Sequence, residues 1–170
     1  MLQKYSDLRV LEVFFKEPTT THFIREISRE IKLATTSVKI IINRLLNKNL
    51  IALKKAKPFN GYVANREEDY FLHYKKVFNI LNIYNLKNLI INEIHPRAIV
   101  LFGSYSRGED IESSDIDILA ISSVKKEINF KDIEKKLKRK INLMIVENLK
   151  RLDPQIINKI YNGFILYGEI

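Results

Sequence analysis

The sequence contains no cysteine and no tryptophan, and it has only 5 glycines and 4 prolines among 170 residues. Without cysteine there can be no disulfide bond and no thiolate metal site, which agrees with a reducing compartment. No apolar run approaches the ~18 residues of a membrane-spanning helix. The charged opening MLQKYSDLRV lacks the apolar core of a signal peptide. We therefore expect a cytoplasmic protein with no membrane partner.

Basic side chains outnumber acidic ones, and the excess is concentrated in the first half of the chain. The formal net charge is +9, from 29 lysines and arginines against 20 acids. Residues 1–70 hold 13 basic and 8 acidic side chains, whereas residues 98–170 hold 12 and 11. A basic front half suits a polyanionic partner, although charge that serves solubility would give the same composition.

The first part of the chain has the pattern of three short helices and a hairpin. Apolar residues recur at helical spacing in three segments. Two extended runs follow, and the Asn60-Gly61 pair between them is a strong turn signal. We predict helices over residues 5–16, 22–32 and 36–48, and strands over 50–55 and 61–65.

This order of elements resembles a winged helix-turn-helix domain. The resemblance implies that the third helix enters the major groove of double-stranded DNA and that the hairpin reaches its phosphates. Such small domains also serve as dimerisation or docking modules, and this alternative stays open. The candidate DNA-binding residues are Thr36, Ser37, Lys39, Asn43, Lys54, Lys55 and Lys57.

A helical linker is predicted over residues 67–96, where His95-Pro96 ends the pattern. We interpret an aromatic-rich stripe along it as core packing between the two halves of the chain, with the seam of a homodimer as the alternative. The stripe consists of Tyr70, Tyr74, Val77, Phe78, Leu81 and Tyr84.

The remaining residues, 97–170, alternate short apolar runs with helical segments. This alternation indicates an α/β or α+β domain built on a small sheet, and we assign it to the α+β class. The chain is thus predicted to have two α+β domains, over residues 1–66 and 97–170, joined by the linker. In the second domain we predict strands over 98–102, 116–121, 141–146 and 163–168, and helices over 130–140 and 154–161.

Two aspartates stand one residue apart where the second of these strands starts, in the sequence LFGSYSRGEDIESSDIDILAI. Alternate residues of a strand face the same side, so Asp115 and Asp117 share one face. Two carboxylates this close repel each other unless a cation lies between them. Mg²⁺ takes oxygen ligands and keeps positions open for substrate phosphates, so we predict that both aspartates are metal ligands.

The Gly-Ser pair that ends the preceding strand complements these acids. Gly103 lets the backbone approach a ligand closely, and Ser104 offers a hydroxyl and N–H groups to phosphate oxygens. Arg107 adds a positive charge nearby. These three residues are the candidate nucleotide-binding residues.

Gly-Ser, ten residues and Asp-x-Asp form the pattern of the polymerase-β-type nucleotidyltransferases, and residues 97–168 resemble the minimal prokaryotic members of that family. The resemblance implies a mixed sheet with flanking helices, and transfer of a nucleoside monophosphate from ATP or another NTP to an acceptor. It implies that Asp115 and Asp117 are catalytic and hold two Mg²⁺ ions. Minimal members often act as antitoxins that adenylylate a helical toxin-type protein, which makes such a protein a candidate partner.

A third carboxylate on the next strand normally completes such a site, and here Asn142 takes that position. An amide can bind Mg²⁺ through its oxygen, but it brings no charge and cannot act as a base. Glu109, Asp110 and Glu112 lie in a segment that we expect to be flexible, so they could approach the site. Two functions therefore stay open: a nucleotidyltransferase, or a DNA-binding regulator whose second domain senses nucleotide with little or no catalysis.

The helix predicted over residues 130–140 ends in a cluster of positive charges. We interpret the cluster as a solvated helix face, with contact to an acceptor or to nucleic acid as the alternative. The cluster consists of Lys135, Lys136, Lys138, Arg139 and Lys140.

Overall fold

The computed structural model describes residues 6–55, 57 and 59–170. Tyr5, the first residue of the first predicted helix, lies outside the described residues. The chain divides into two compact units, Met1–Lys75 and Lys76–Ile170, so the segment predicted as a linker is shared between them. None of the helices in the described part of the chain combines the length and the apolar character needed to cross a membrane.

In its described residues, the first unit begins with three helices and an antiparallel hairpin, in the predicted order. The hairpin gains one further backbone pairing, because His22 and Tyr62 exchange N–H···O bonds of 2.8 and 2.9 Å. The assignment as a winged helix-turn-helix domain stays a prediction. The core includes Val10, Phe14, Ile27, Val38 and Ile42, each at most 1% exposed. The elements are α1 (Ser6–Lys16), α2 (Ile24–Glu30), α3 (Thr35–Asn47), β1 (Ile51–Lys54) and β2 (Gly61–Ala64).

The second unit is built on a four-stranded mixed sheet, which confirms the predicted α+β class. The strand order is β5-β4-β3-β6, with β4 and β5 parallel and the other pairs antiparallel. Helix α4 (Asp69–Ile83) contains the boundary between the units. The other elements are α5 (Leu86–Ile94), β3 (Ala98–Phe102), α6 (Gly103–Arg107), β4 (Ile116–Ile121), α7 (Lys131–Leu137), β5 (Ile141–Val146), α8 (Pro154–Tyr161) and β6 (Phe164–Gly168).

The central strands β3 and β4 are buried on both faces, which explains why they appear in the sequence as continuous apolar runs. On one face, Ile118 belongs to the same core cluster as Ile90 of α5. On the other face, Leu119 belongs to the same cluster as Ile160 of α8. Since side chains alternate along a strand, Asp117 faces the α8 side of the sheet.

Five of the six side chains in the aromatic-rich stripe are exposed, and Phe78 is half-buried. Tyr70, Val77 and Leu81 are 68%, 54% and 53% exposed, and Tyr74 and Tyr84 are nearly half exposed. These five side chains therefore belong to the core of neither unit, and packing between the two halves of the chain stays a prediction. The alternative, a homodimer seam, stays a prediction.

A buried ion pair fixes the segment that connects the Gly-Ser pair to Asp115. Asp110 is fully buried, and its Oδ2 lies 3.0 Å from Nη2 of Arg139, whose side chain is 6% exposed. Arg139 also donates to the carbonyl oxygens of Ile111 and Ser114. From α4, Asn79 Nδ2 donates to Asp110 Oδ1 at 2.7 Å. The expectation that this segment is flexible is therefore wrong, and Arg139 is not part of a solvated basic face.

Tyr105, a residue of α6, contacts both Arg139 and Asn79, the two partners of Asp110. Its ring centre lies 5.9 Å from the guanidinium carbon of Arg139, and its carbonyl oxygen accepts a hydrogen bond of 2.9 Å from Asn79. Burial raises the pKa of the Tyr105 hydroxyl well above its ordinary value, and the Asp110 carboxylate raises it further. The side chain therefore stays neutral, and it belongs to the same core cluster as Leu101 and Ile118 of the sheet.

Replacing Arg139 by methionine would leave the Asp110 carboxylate buried without the guanidinium. We expect the R139M variant to lose about 3–5 kcal/mol of unfolding free energy in urea titrations. Lys136→Met removes an exposed lysine of α7 and should change the unfolding free energy by less than about 0.5 kcal/mol. Equal losses in the two variants would show that the ion pair does not stabilise the unit.

Candidate active site

Strand pairing brings the candidate catalytic residues together at one end of the sheet. Asp117 stands opposite Phe102 in the antiparallel β3–β4 pair and opposite Asn142 in the parallel β4–β5 pair. Gly103 and Ser104 directly follow Phe102 in the chain. The end of β3 and the starts of β4 and β5 therefore place the Gly-Ser pair, the acids and Asn142 around one point.

A cleft of about 660 Å³ opens at this point, within the range typical of ligand-binding sites. Phe102, Met144 and Ile156 form its apolar wall, and the last of these comes from α8. Asp115 does not line the cleft, but its carboxylate accepts a hydrogen bond from Asn142, which does. The polar lining residues are Ser104, Arg107, Asp117, Asn142 and Lys159.

The Asn142 side chain lies between the two aspartates. Its Nδ2 donates to Oδ2 of Asp115 and to Oδ1 of Asp117, each at 3.2 Å. Asp115 and Asp117 therefore direct their carboxylates to the same side, as the alternation along a strand predicts. The amide N–H groups reduce the repulsion between the two negative charges, which a third carboxylate in this position would increase.

The donor set at this point fits one divalent cation. The Asn142 Nδ2 faces one oxygen of each carboxylate, and rotation of the amide by half a turn would present its oxygen there instead. Carboxylate and amide oxygens are the ligands that Mg²⁺ and Ca²⁺ prefer. Within the described ranges, no group of three or more histidine, aspartate or glutamate side chains is placed to hold a metal ion. Asp115, Asp117 and Asn142 together carry two negative charges, which balance one divalent cation rather than two.

Gly103 stands beside Asp117 where a side chain would not fit. Its φ is +76°, in the left-handed region that L-residues rarely adopt, and a Cβ there would lie 2.6 Å from Oδ2 of Asp117. The glycine therefore allows the chain to leave β3 and enter α6, and it also leaves space for the carboxylate.

The Gly-Ser pair forms the first turn of α6, a short helix that the sequence did not predict. Ser106 is buried and its Oγ donates to the Gly103 carbonyl oxygen at 2.7 Å, which closes this short helix. The Ser104 carbonyl oxygen accepts a hydrogen bond of 3.0 Å from the Glu109 N–H. Ser104 is half-buried, and its position in the cleft wall is fixed by these backbone contacts.

Two of the three acids near the motif do not replace the missing carboxylate. Glu109 forms an ion pair of 2.7 Å with Arg107, and Asp110 is buried against Arg139. Neither acid lines the cleft. The expectation that Glu109 and Asp110 could approach the metal site is therefore wrong, whereas for Glu112 it stays a prediction. Arg107 already has a negative partner in the Glu109 carboxylate.

Lys159 is a lining residue that the sequence interpretation did not identify. It lies on α8, is exposed, and lines the cleft. Among the residues that the structure describes, no carboxylate lies within ion-pair distance of its ammonium group. The available signal was its position three residues after Ile156 and next to Ile160, at the edge of the apolar face of α8. That signal becomes useful only once α8 is known to pack on β3.

The candidate DNA-binding residues all lie in the first unit. Ser37 is half-buried, and the others are exposed. They occupy the outer face of α3 and the basic end of the hairpin, and the exposed residues are Thr36, Lys39, Asn43, Lys54, Lys55 and Lys57.

Comparison with known proteins places the cleft within a recognised domain. None of the curated proteins compared with this chain matches it. A solved structure described as "Crystal structure of the toxin-antitoxin with AMP-PNP" is 24% identical and has a TM-score of 0.40, with 52% of this chain and 73% of that chain covered. The model of the nucleotidyltransferase domain family matches residues 83–167, half of the chain, and that range includes both parts of the motif, Asn142 and Lys159. The chain therefore belongs to the nucleotidyltransferase domain family.

Proposed function

We propose that this protein transfers AMP from ATP to a hydroxyl group of a protein or small-molecule acceptor, in a Mg²⁺-dependent reaction that releases pyrophosphate. The observation that carries the proposal is the placement of Asp115, Asn142 and Asp117 within hydrogen-bonding distance beside a cleft that also contains Ser104. Membership of the nucleotidyltransferase domain family supports it. By the resemblance to minimal prokaryotic members, the role would be that of an antitoxin, with a helical toxin-type protein as acceptor.

In the proposed reaction, the acceptor oxygen forms a bond to the α-phosphorus while the bond to the bridging oxygen breaks. Pyrophosphate leaves with the electron pair of that bond. A divalent cation held by Asp115 and Asp117 would supply positive charge to the phosphates during this in-line displacement. The Ser104 hydroxyl donates a hydrogen bond to a phosphate oxygen. The proton of the acceptor passes to an aspartate or to water, since the Asn142 amide cannot accept it.

Removing the charge of either aspartate tests this assignment. We expect Asp115→Asn and Asp117→Asn each to lower the transfer of label from α-phosphate-labelled ATP to candidate acceptors at least about 100-fold. The cause would be loss of the negative charge that holds the cation. Pyrophosphate release should fall by the same factor.

Glu147→Gln is the matched control, because Glu147 is an exposed carboxylate that lies 3.6 Å from Lys125. A surface pair of this kind contributes little, so transfer should be unchanged. Transfer that persists in both aspartate variants would rule out the proposed mechanism.

The Asn142→Asp variant tests what the amide does. It places a third carboxylate at the site, where it can accept the acceptor's proton and strengthen cation binding. We expect the turnover number to rise at least about 10-fold at saturating Mg²⁺. Without Mg²⁺ the three carboxylates repel one another, so the melting temperature should fall and recover when Mg²⁺ is added.

The control for this variant is Asn129→Asp, which adds the same charge at an exposed position. The Asn129 Oδ1 accepts a hydrogen bond from the Lys131 N–H, and an aspartate keeps that acceptor. If the turnover number of the Asn142→Asp variant is unchanged or lower, the amide does not slow the reaction relative to a carboxylate.

A second function, DNA binding with the second unit as a nucleotide sensor, is favoured by the exposed lysines of the hairpin. Replacing Lys54, Lys55 and Lys57 with glutamine should weaken binding to duplex DNA. It should also lower the slope of log affinity against log salt concentration by about 2–3, because each phosphate contact releases about one counterion. The same charge loss at Lys125, Lys126 and Lys131, which are exposed lysines of the second unit outside its basic cluster, should leave the slope unchanged. No duplex binding by the unaltered protein at low salt would exclude this function.

A further inference from the structure

The charge of the cleft does not match that of the proposed substrate. Together, Asp115, Asp117 and Asn142 balance one divalent cation, but the phosphate chain of ATP carries about four negative charges at neutral pH. Bound to a single Mg²⁺, ATP keeps an excess of negative charge that other groups must neutralise. The cations for this purpose must come from side chains that line the cleft.

Two lining side chains are cationic, and only one of them lacks a partner among the described residues. The Arg107 Nε and Nη2 both contact Oε2 of Glu109, at 2.8 and 2.7 Å. Lys159 has no such carboxylate near it. Its ammonium group is therefore available to a ligand without first breaking an existing ion pair.

The position of Lys159 also suits a phosphate chain. It lies on α8, which packs on the same face of the sheet as Asp117. The apolar side chains of Met144 and Ile156 line the cleft with it. A phosphate chain whose α-phosphate lies near Asp117 could extend across this wall to the ammonium group.

We propose that Lys159 binds the β- and γ-phosphates of the nucleotide, and that it thereby makes the cleft select triphosphates over monophosphates. This inference rests on the proposed function, since it takes a nucleoside triphosphate as the substrate. Lys159 is then a specificity-determining residue and also stabilises pyrophosphate as the leaving group. The ammonium donates charge-assisted hydrogen bonds to phosphate oxygens, and AMP has no phosphate group that extends so far.

The test measures the binding of ATP, tripolyphosphate and AMP by calorimetry at one fixed Mg²⁺ concentration and low ionic strength. For Lys159→Met we expect the affinities for ATP and tripolyphosphate to fall about 10-fold. The affinity for AMP should fall by less than about 2-fold. Lys159→Arg should restore most of the binding, because it keeps the charge.

Lys150→Met is the matched control, since Lys150 is exposed in the same region of the chain but does not line the cleft. It should leave all three affinities unchanged. Equal losses for ATP and AMP in the Lys159→Met variant, or no loss for either, would overturn the assignment of Lys159. If the unaltered protein binds neither ATP nor tripolyphosphate, the proposed function itself fails.

Discussion

The geometry of the cleft depends on the buried contact between Asp110 and Arg139. A carboxylate without solvent exposure must keep its cation close, and these two residues lie just before the parallel strands β4 and β5. The Ile116 N–H also donates to the Lys140 carbonyl oxygen at 2.8 Å where those strands begin. These contacts stabilise the start of the parallel pair, in whose register Asp117 stands opposite Asn142. A shift by one residue would turn one of the two to the other face of the sheet.

The amide of Asn142 gives the site two different properties. Its Nδ2 donates to one oxygen of Asp115 and to one of Asp117, each at 3.2 Å, and this lowers the repulsion between the two carboxylates. In nucleotidyl transfer the same group would supply neither negative charge nor a base. The residue therefore favours an ordered arrangement of the two aspartates, but it lacks the charge of the carboxylate that normally takes this position. A nucleotide sensor would benefit from the first property, whereas an efficient enzyme would need the second to be compensated elsewhere.

The strands and the motif could be predicted because their signals are local. Continuous apolar runs mark β3 and β4, and the fixed spacing between Gly103-Ser104 and Asp115 marks the nucleotidyltransferase domain, which the family match confirms. Arg139 could not be singled out, since nothing within a run of basic residues shows which of them is buried. Lys159 depends on where α8 packs, and the five-residue helix α6 is too short to have a periodicity. The α4 stripe has a helical spacing that does not distinguish a buried face from an exposed one.

The close approach of Gly103 to Asp117 limits which residues can stand at position 103. Its missing side chain leaves space for the Asp117 carboxylate, and its backbone lies in the left-handed region. Selection would therefore retain this glycine in any descendant that keeps the aspartate and the path of the chain, whether or not that descendant still catalyses transfer. Gly103 is thus a steric requirement of the fold, and its presence does not by itself indicate that a chain is active.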